Sequence, residues 1–125
     1  NRTVSKAEAL VADFAAQGRL TALGYEALEG QQFDVLLNAT SASLSDQLPP
    51  LPADLLAANA CCYDLAYGNL PTAFVKWGLA HGATQSLDGL GMLVEQAAEA
   101  FFIWRGVRPA TAELIALLDA ERLNS

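Results

Sequence analysis

Two short, almost continuously apolar runs constrain the fold most: Phe33-Asp-Val-Leu-Leu-Asn38 and Ala60-Cys-Cys-Tyr-Asp-Leu65. Apolar character without alternation is the pattern of a strand covered on both faces. Each run breaks into small or polar residues, Ala39-Thr40-Ser41 in one case and Ala66-Tyr67-Gly68-Asn69 in the other. Helical patterns lie before, between and after them. That alternation specifies a parallel α/β sheet. Ligands of such sheets bind outside the carboxyl ends of the strands, so the loops after Asn38, after Leu65 and around Gly89 should share one rim.

The strongest helical pattern follows the third of those loops. From Asp88 to Trp104, Leu90, Leu93, Val94, Ala97, Ala98, Phe101 and Phe102 recur at steps of three and four, one broad apolar stripe. Met92, Glu95, Gln96 and Glu99 fall on the remaining surface. Gly89 and Gly91 stand at the entrance, where the lack of a Cβ permits close approach of a ligand or an ordinary turn. Near the amino end Ala7, Leu10, Val11, Phe14 and Ala15 keep helical spacing up to a stop at Gly18, with Ser5-x-x-Glu8 or Thr3 as the cap. Residues 19–23 read as a short strand, and 25–29 as a helical turn ending at Gly30. Pro49, Pro50 and Pro52 make 42–52 irregular, and Asp54 to Ala58 read as a brief helix. Thr72 caps a helix that runs to about His81 and stops at Gly82. Residues 84–87 form a short strand. Pro109 precedes a final amphipathic helix carrying Leu114, Ile115, Leu117 and Leu118.

With 125 residues the chain is one domain or part of one. Hydrophobic residues make up 53% and charged ones 17%, so the strands must be well covered or some surface hidden by another part of a larger protein. Polar or Gly/Pro residues interrupt every apolar segment before the roughly 20 residues a bilayer crossing needs. A formal charge of −7 and the lack of a basic stripe argue against a nucleic-acid surface. Cys61 and Cys62, adjacent and inside an apolar run, read as buried fillers in a reducing compartment, with a reactive pair as the alternative. Asn1-Arg2-Thr3 and Asn38-Ala39-Thr40 match the glycosylation sequon, by accident on this reading. A cytoplasmic location is expected.

Several groups could carry chemistry. Asn1, Arg2, Thr3 and Lys6 gather an amide, a hydroxyl and two cations at a helix start, where unpaired N–H groups and the positive dipole end favour anions. In a dinucleotide fold an acid after the second strand selects NAD, whereas a cation there accommodates the 2′-phosphate of NADP. A solvated basic start to a surface helix is the competing reading. Tyr67, Gln96 and Asn38 are polar groups near the rim, suited to a hydroxylated small molecule or to ordinary surface bonding. Asp64 and Asp88 end or follow strands and are expected to anchor loops by hydrogen bonds. His81 suits a helix C-terminus, and no second His exists for a metal pair.

Asn1-Arg-Thr with Lys6, Leu37-Asn-Ala-Thr-Ser41, Tyr63-Asp-Leu-Ala-Tyr67, Thr72-Ala-Phe74 and Asp88-Gly-Leu-Gly-Met-Leu-Val-Glu-Gln-Ala98 occur in this order. Together they closely resemble the C-terminal, NADP-binding part of shikimate dehydrogenase. The last motif is highly specific; Asn-Arg-Thr alone is shared with other NADP enzymes such as glutamyl-tRNA reductase. The resemblance implies an NADP-dependent, reversible reduction of 3-dehydroshikimate to shikimate on the route to aromatic amino acids. It implies that Asn1, Arg2, Thr3 and Lys6 hold the adenosine 2′-phosphate and that Thr40 and its neighbours line the cofactor. Leu65, Gly89 and Met92 would approach the nicotinamide, and Tyr67 and Gln96 the substrate. The sequence departs from the family pattern at Leu65, often Met, at Ala73, otherwise Pro, and at Ser43, where glycine is usual. Leu for Met keeps the volume, whereas Ser restricts its loop.

The family's glycine-rich phosphate loop and its N-terminal substrate domain, with the catalytic lysine–aspartate pair, have no counterpart in these residues. No catalytic residue is therefore expected in this chain. The expected fold is an incomplete three-layer Rossmann-like parallel sheet with C-terminal helices. In the usual strand order 3-2-1-4-5-6, strand 1 and most or all of strand 2 would be lacking between 19–23 and Phe33–Asn38. Residues 1–125 would be the C-terminal part of an NADP-binding domain, inactive alone, with the N-terminal part of the same enzyme and shikimate or 3-dehydroshikimate as its partners. A non-catalytic NADP-binding or complementing fragment, or a quinate/shikimate dehydrogenase relative, are the alternatives.

Overall fold

A computed structural model describes residues 1–123. Three parallel strands form its sheet in the order β1 (Phe33–Asn38), β2 (Leu56–Asp64), β3 (Gln85–Leu87). Helices α1 (Val4–Phe14), α2 (Ala73–Ala80), α3 (Leu90–Arg105) and α4 (Ala112–Leu123) complete the chain, with short 3-10 turns at Ala15–Gln17, Tyr25–Leu28 and Ala42–Ser45. The parallel α/β arrangement is the one the two apolar runs demand. In register, Leu36 lies beside Cys62, Asn38 beside Asp64, and Cys62 beside Ser86. The strand ends therefore carry their polar residues to one edge.

The core sits where α2 crosses β2 and β3. Leu55, Cys62, Phe74 and Trp77 form its centre, with Leu28, Leu36, Leu51, Leu56 and Ala83 packed around them. Gly78 is what lets α2 lie so close. A Cβ there would stand 2.9 Å from both Cβ and Sγ of Cys62, inside any normal contact. Thr72 caps α2 as expected, its hydroxyl accepting a hydrogen bond from Val75 N–H at 3.2 Å. At the other end His81 closes the helix, its Nδ1 2.8 Å from the Trp77 carbonyl and its ring stacked on the Trp77 indole. Both the cap and the structural role of His81 follow the sequence pattern.

Four expectations need correction. Residues 19–23 form no strand: among the described residues β1 pairs only with β2, so they have no neighbouring ladder to join. Asp54 to Ala58 form no helix. Leu56 pairs with Phe33, the Leu55 carbonyl accepts from Phe33 N–H at 3.0 Å, and this ladder outweighs a five-residue helix that could hardly nucleate. Strand β1 is not buried. Asn38 alone is fully covered, and Val35 is 66% exposed, because β1 is an edge strand with little packed on its faces. The apolar stripe of α3 is only partly used: Leu90, Val94 and Ala98 are buried, whereas Leu93, Ala97, Phe101 and Phe102 are exposed. The element packed against α3 is the shorter α4, 12 residues against 16, so part of the stripe faces outward.

The start of α1 differs in detail. Thr3 occupies the cap position but its side chain makes no capping bond, and Ser5 already lies inside the helix, so no capping box forms. None of the residues of α1 is buried, Leu10 and Phe14 included. Among the described residues no helix is long and apolar enough to cross a membrane.

Candidate functional site

The carboxyl ends of the three strands meet at one rim, where Asn1, Arg2, Thr3, Lys6 and Thr40 gather in one cluster and Leu65, Gly89 and Met92 in a second. Among the described residues no side-chain hydrogen bond joins Tyr67 or Gln96 to either. The first cluster is a cleft of about 740 Å³. Arg2, Thr3 and Lys6 from the start of α1 line one part of it, and Asn38 at the end of β1 with Thr40 and Ser45 after it line another. Arg2 and Lys6 are exposed, so their cationic ends are open to an incoming group; Thr40 is exposed too, with its hydroxyl engaged inside its own loop. The loop itself is held from within. Thr40 donates to Asn38 Oδ1 twice, from its backbone N at 3.1 Å and from its hydroxyl at 2.8 Å, and its Oγ1 accepts from Ala42 N–H. Asn1 does the same on the opposite wall, its Oδ1 accepting from Thr3 N–H at 2.9 Å. Asn1 and Thr40 thus shape the cleft, and the two cations give it positive charge.

The second cluster lies where α3 begins. Leu65 N–H donates to the Asn38 carbonyl and Gly89 N–H to the Ala66 carbonyl, each at 3.0 Å. This draws the Gly89 backbone onto Leu65 so closely that any Cβ at position 89 would collide with the Leu65 carbonyl. Gly89 is therefore demanded by backbone packing, whatever else approaches it. Met92 is exposed, and its N–H donates to the Tyr63 hydroxyl at 3.2 Å. Tyr67 is exposed on the loop after β2. Gln96 is exposed too, with its Nε2 turned back to the Leu93 carbonyl of its own helix at 2.9 Å. None of Leu65, Tyr67, Gly89, Met92 and Gln96 lines the first cleft.

Between the clusters lies a hub that the sequence had marked only as loop anchoring. Asp64 is 0% exposed and accepts four hydrogen bonds. They come from Asn38 Nδ2, Ala66 N–H, the Ser43 hydroxyl and the Thr72 hydroxyl. Ser43 needs no left-handed backbone to reach it, so the departure from glycine brings no φ strain. Asp88 anchors as expected, accepting from Leu90 N–H at the start of α3. Its partner Arg122 was not foreseen. Arg122 Nη1 lies 2.5 Å from Asp88 Oδ2, and Nη2 bonds Asp119, so α4 is tied to the rim. That hydrogen bond to Asp88 raises the guanidinium pKa against the opposing effect of burial. Only its position in the last turn of a helix could have pointed to Arg122, and that says nothing of a carboxylate 34 residues away.

Comparison with known proteins gives these clusters a context. The profile of the Shikimate 5′-dehydrogenase C-terminal domain matches residues 89–118. The chain is 63% identical over 121 residues to shikimate dehydrogenase (NADP(+)) of Alkalilimnicola ehrlichii, covering 97% of this chain and 44% of that protein. The likeness is to shikimate dehydrogenases. Among solved structures it extends to an Ael1 enzyme from Pseudomonas putida, with TM-score 0.83 and 52% identity over 94% of this chain and 43% of that one. Shikimate 5-dehydrogenase from Thermus thermophilus, solved with NADP(H) and shikimate, aligns with TM-score 0.76 and 31% identity over 98% of this chain and 44% of that one. The chain thus spans less than half the length of each of these proteins, and its parallel sheet is the corresponding part of their Rossmann-like fold.

Proposed function

We propose that this chain is the cofactor-binding part of an NADP-dependent shikimate dehydrogenase, which interconverts 3-dehydroshikimate and shikimate in aromatic amino acid biosynthesis. The observation that carries this reading is the cleft that joins Arg2, Thr3 and Lys6 to the loop after β1. Two exposed cations and a hydroxyl beside a helix start suit a dianionic phosphate, and among the described residues no carboxylate lines that cleft to repel it. Arg2 and Lys6 neutralise the 2′-phosphate, Asn1 and Thr3 shape its seat, and Thr40 lines the path of the dinucleotide. Leu65, Gly89 and Met92 form the wall toward the nicotinamide, and Tyr67 and Gln96 reach the substrate from that side. When bound, NADPH supplies the hydride that reduces the ketone. The residues of this chain bind and orient; the acid–base groups belong to the N-terminal part of the same enzyme, and residues 1–125 are the C-terminal part of its NADP domain. That part would also cover the bare edge of β1 and the exposed face of α1. The enzyme works in the cytoplasm, where Cys61 and Cys62 remain thiols.

Titrating the full-length protein with NADPH and NADH tests this. Arg2→Ala should weaken NADPH binding by about 1.5–3 kcal/mol through lost charge-assisted hydrogen bonds, while NADH, without the 2′-phosphate, should scarcely respond. Equal losses for both cofactors would overturn the assignment. In the same preparation the full-length protein should oxidise shikimate with NADP⁺, and the purified 125-residue chain should not.

A further inference from the structure

We infer that Ser43 is a positioning residue for the dinucleotide: its hydroxyl latches the cleft-lining turn to the buried Asp64 carboxylate. This rests on the cofactor reading above. Ser43 lies in the turn Ala42–Ser45 and does not itself line the cleft, whereas its neighbours Ala42 and Ser45 do. It can act on a ligand only through them. Its Oγ donates to Asp64 Oδ2 at 2.5 Å and accepts from Asn38 Nδ2 at 3.0 Å.

Asp64 in turn connects everything that sets the distance between the two clusters. Oδ2 also accepts from the Thr72 hydroxyl, which caps α2, at 2.7 Å. Oδ1 accepts from Asn38 Nδ2 at 3.2 Å and from Ala66 N–H, next to Leu65, at 3.1 Å. One carboxylate therefore holds the end of β1, the turn after it, the loop after β2 and the start of α2 in a single frame. The donors in this set are matched: Asn38 uses both ends of its amide, and the Ser43 and Thr72 hydroxyls each donate once and accept once. Removing the Ser43 hydroxyl leaves the frame standing on Asn38, Ala66 and Thr72 but cuts the turn's side-chain tie to Asp64, leaving the turn that borders the cofactor to the bonds within its own loop. The family resemblance puts glycine at this position, so the latch is a property of this chain and not of the family pattern.

Steady-state kinetics of the full-length protein test the latch. Ser43→Ala should raise KM for NADP⁺ roughly three- to tenfold, the range expected when one hydrogen bond to a charged group is partly lost. With cofactor saturating, kcat should hold, as should KM for shikimate, and Ser43→Thr should restore the wild-type KM for NADP⁺. Circular dichroism and the melting temperature establish that the variants fold; should alanine misfold, Ser43→Gly carries the same test. A purely structural serine would lower the melting temperature and leave KM for NADP⁺ unchanged, which would overturn the inference. So would a parallel change in kcat and both KM values. Arg2→Ala, run alongside, separates the two levels of the argument. If Arg2→Ala weakens NADP⁺ and Ser43→Ala does not, only the latch fails. If neither variant affects NADP⁺, the cofactor reading fails and the latch with it.

Discussion

The two sides of this molecule are built to different standards. Where α2 lies across β2 and β3, Trp77, Phe74 and Cys62 are closed off from water, the helix is capped at Thr72, and a glycine sets the interlayer spacing. Where α1 lies, no residue of the helix is buried, its cap makes no side-chain bond, and the neighbouring β1 exposes Phe33, Val35 and Leu37. Both sides have comparable sequence: apolar residues at helical spacing beside an apolar strand. The difference is that β2 has a strand on each side and β1 on one only. An amphipathic helix gains its stability from the surface it covers, so the same pattern yields a core on one side and an exposed stripe on the other.

The largest effects should follow that division. Trp77→Ala removes the indole from the centre of the core and should cost about 3–5 kcal/mol in urea unfolding of this chain. Phe14→Ala on α1 should stay within about 0.5 kcal/mol, as for a surface site. The comparison sharpens when both are repeated in the full-length protein. If preceding residues cover α1, Phe14→Ala should there become a core-like loss, while the cost of Trp77→Ala stays as it was. A Phe14→Ala cost that is the same in both lengths would break the proposed coverage.

A smaller effect tests how the closed side achieves its spacing. Gly78→Ala puts a methyl group against Cys62 and Ser86, and overpacking of this kind costs about 1–3 kcal/mol. Combining it with Cys62→Ala should recover part of that loss, because the new methyl then meets a smaller neighbour. A double variant no more stable than the sum of the two single changes would show that the contact is not what limits the approach of α2.

What was legible in the sequence divides along the same line. The helix from Thr72 to about His81 was readable because local signals and packing agree there: a cap, a stop and an apolar face. The strand Phe33–Asn38 was readable as an element from its apolar run, though the burial expected of it was not, and 84–87 from the alternation of helices and strands. Residues 19–23 and Asp54–Ala58 were misread because their fate depends on pairing partners. One has none, and the other is captured by Phe33. At the rim, residue types at a helix start pointed to Arg2, Thr3 and Lys6, the family resemblance added Thr40, and the structure brings those four to one cleft. The Asp64 hub was only half visible. A polar residue ending each apolar run marks Asn38 and Asp64, but that they sit side by side is a matter of register, and Ser43 reaches them only through the turn between. Sequence spacing also says nothing of rotamers, which is why Gln96, chosen as a substrate contact, turns back upon its own helix.

The smallest expected effect concerns the pH response of the closed side. Cys62 is 1% exposed, and burial, assisted by the neighbouring Cys61, pushes its thiol pKa up from the ordinary value of 9.0. The folded state therefore favours the neutral thiol more than the unfolded chain does. The resulting stabilisation is complete below the ordinary thiol range, and it is lost as the pH rises through that range and through the raised value. Other groups titrate there too, so the measurement is a difference: unfolding free energy against pH for the wild type and for Cys62→Ala. The two curves should run parallel up to about pH 8, below the usual thiol pKa, and the wild type should then fall more steeply. Parallel curves at every pH would mean that Cys62 ionises as readily in the fold as outside it, and that the closed side admits water to its centre. The open side carries no such group, and truncating Phe14 should leave the shape of the curve untouched.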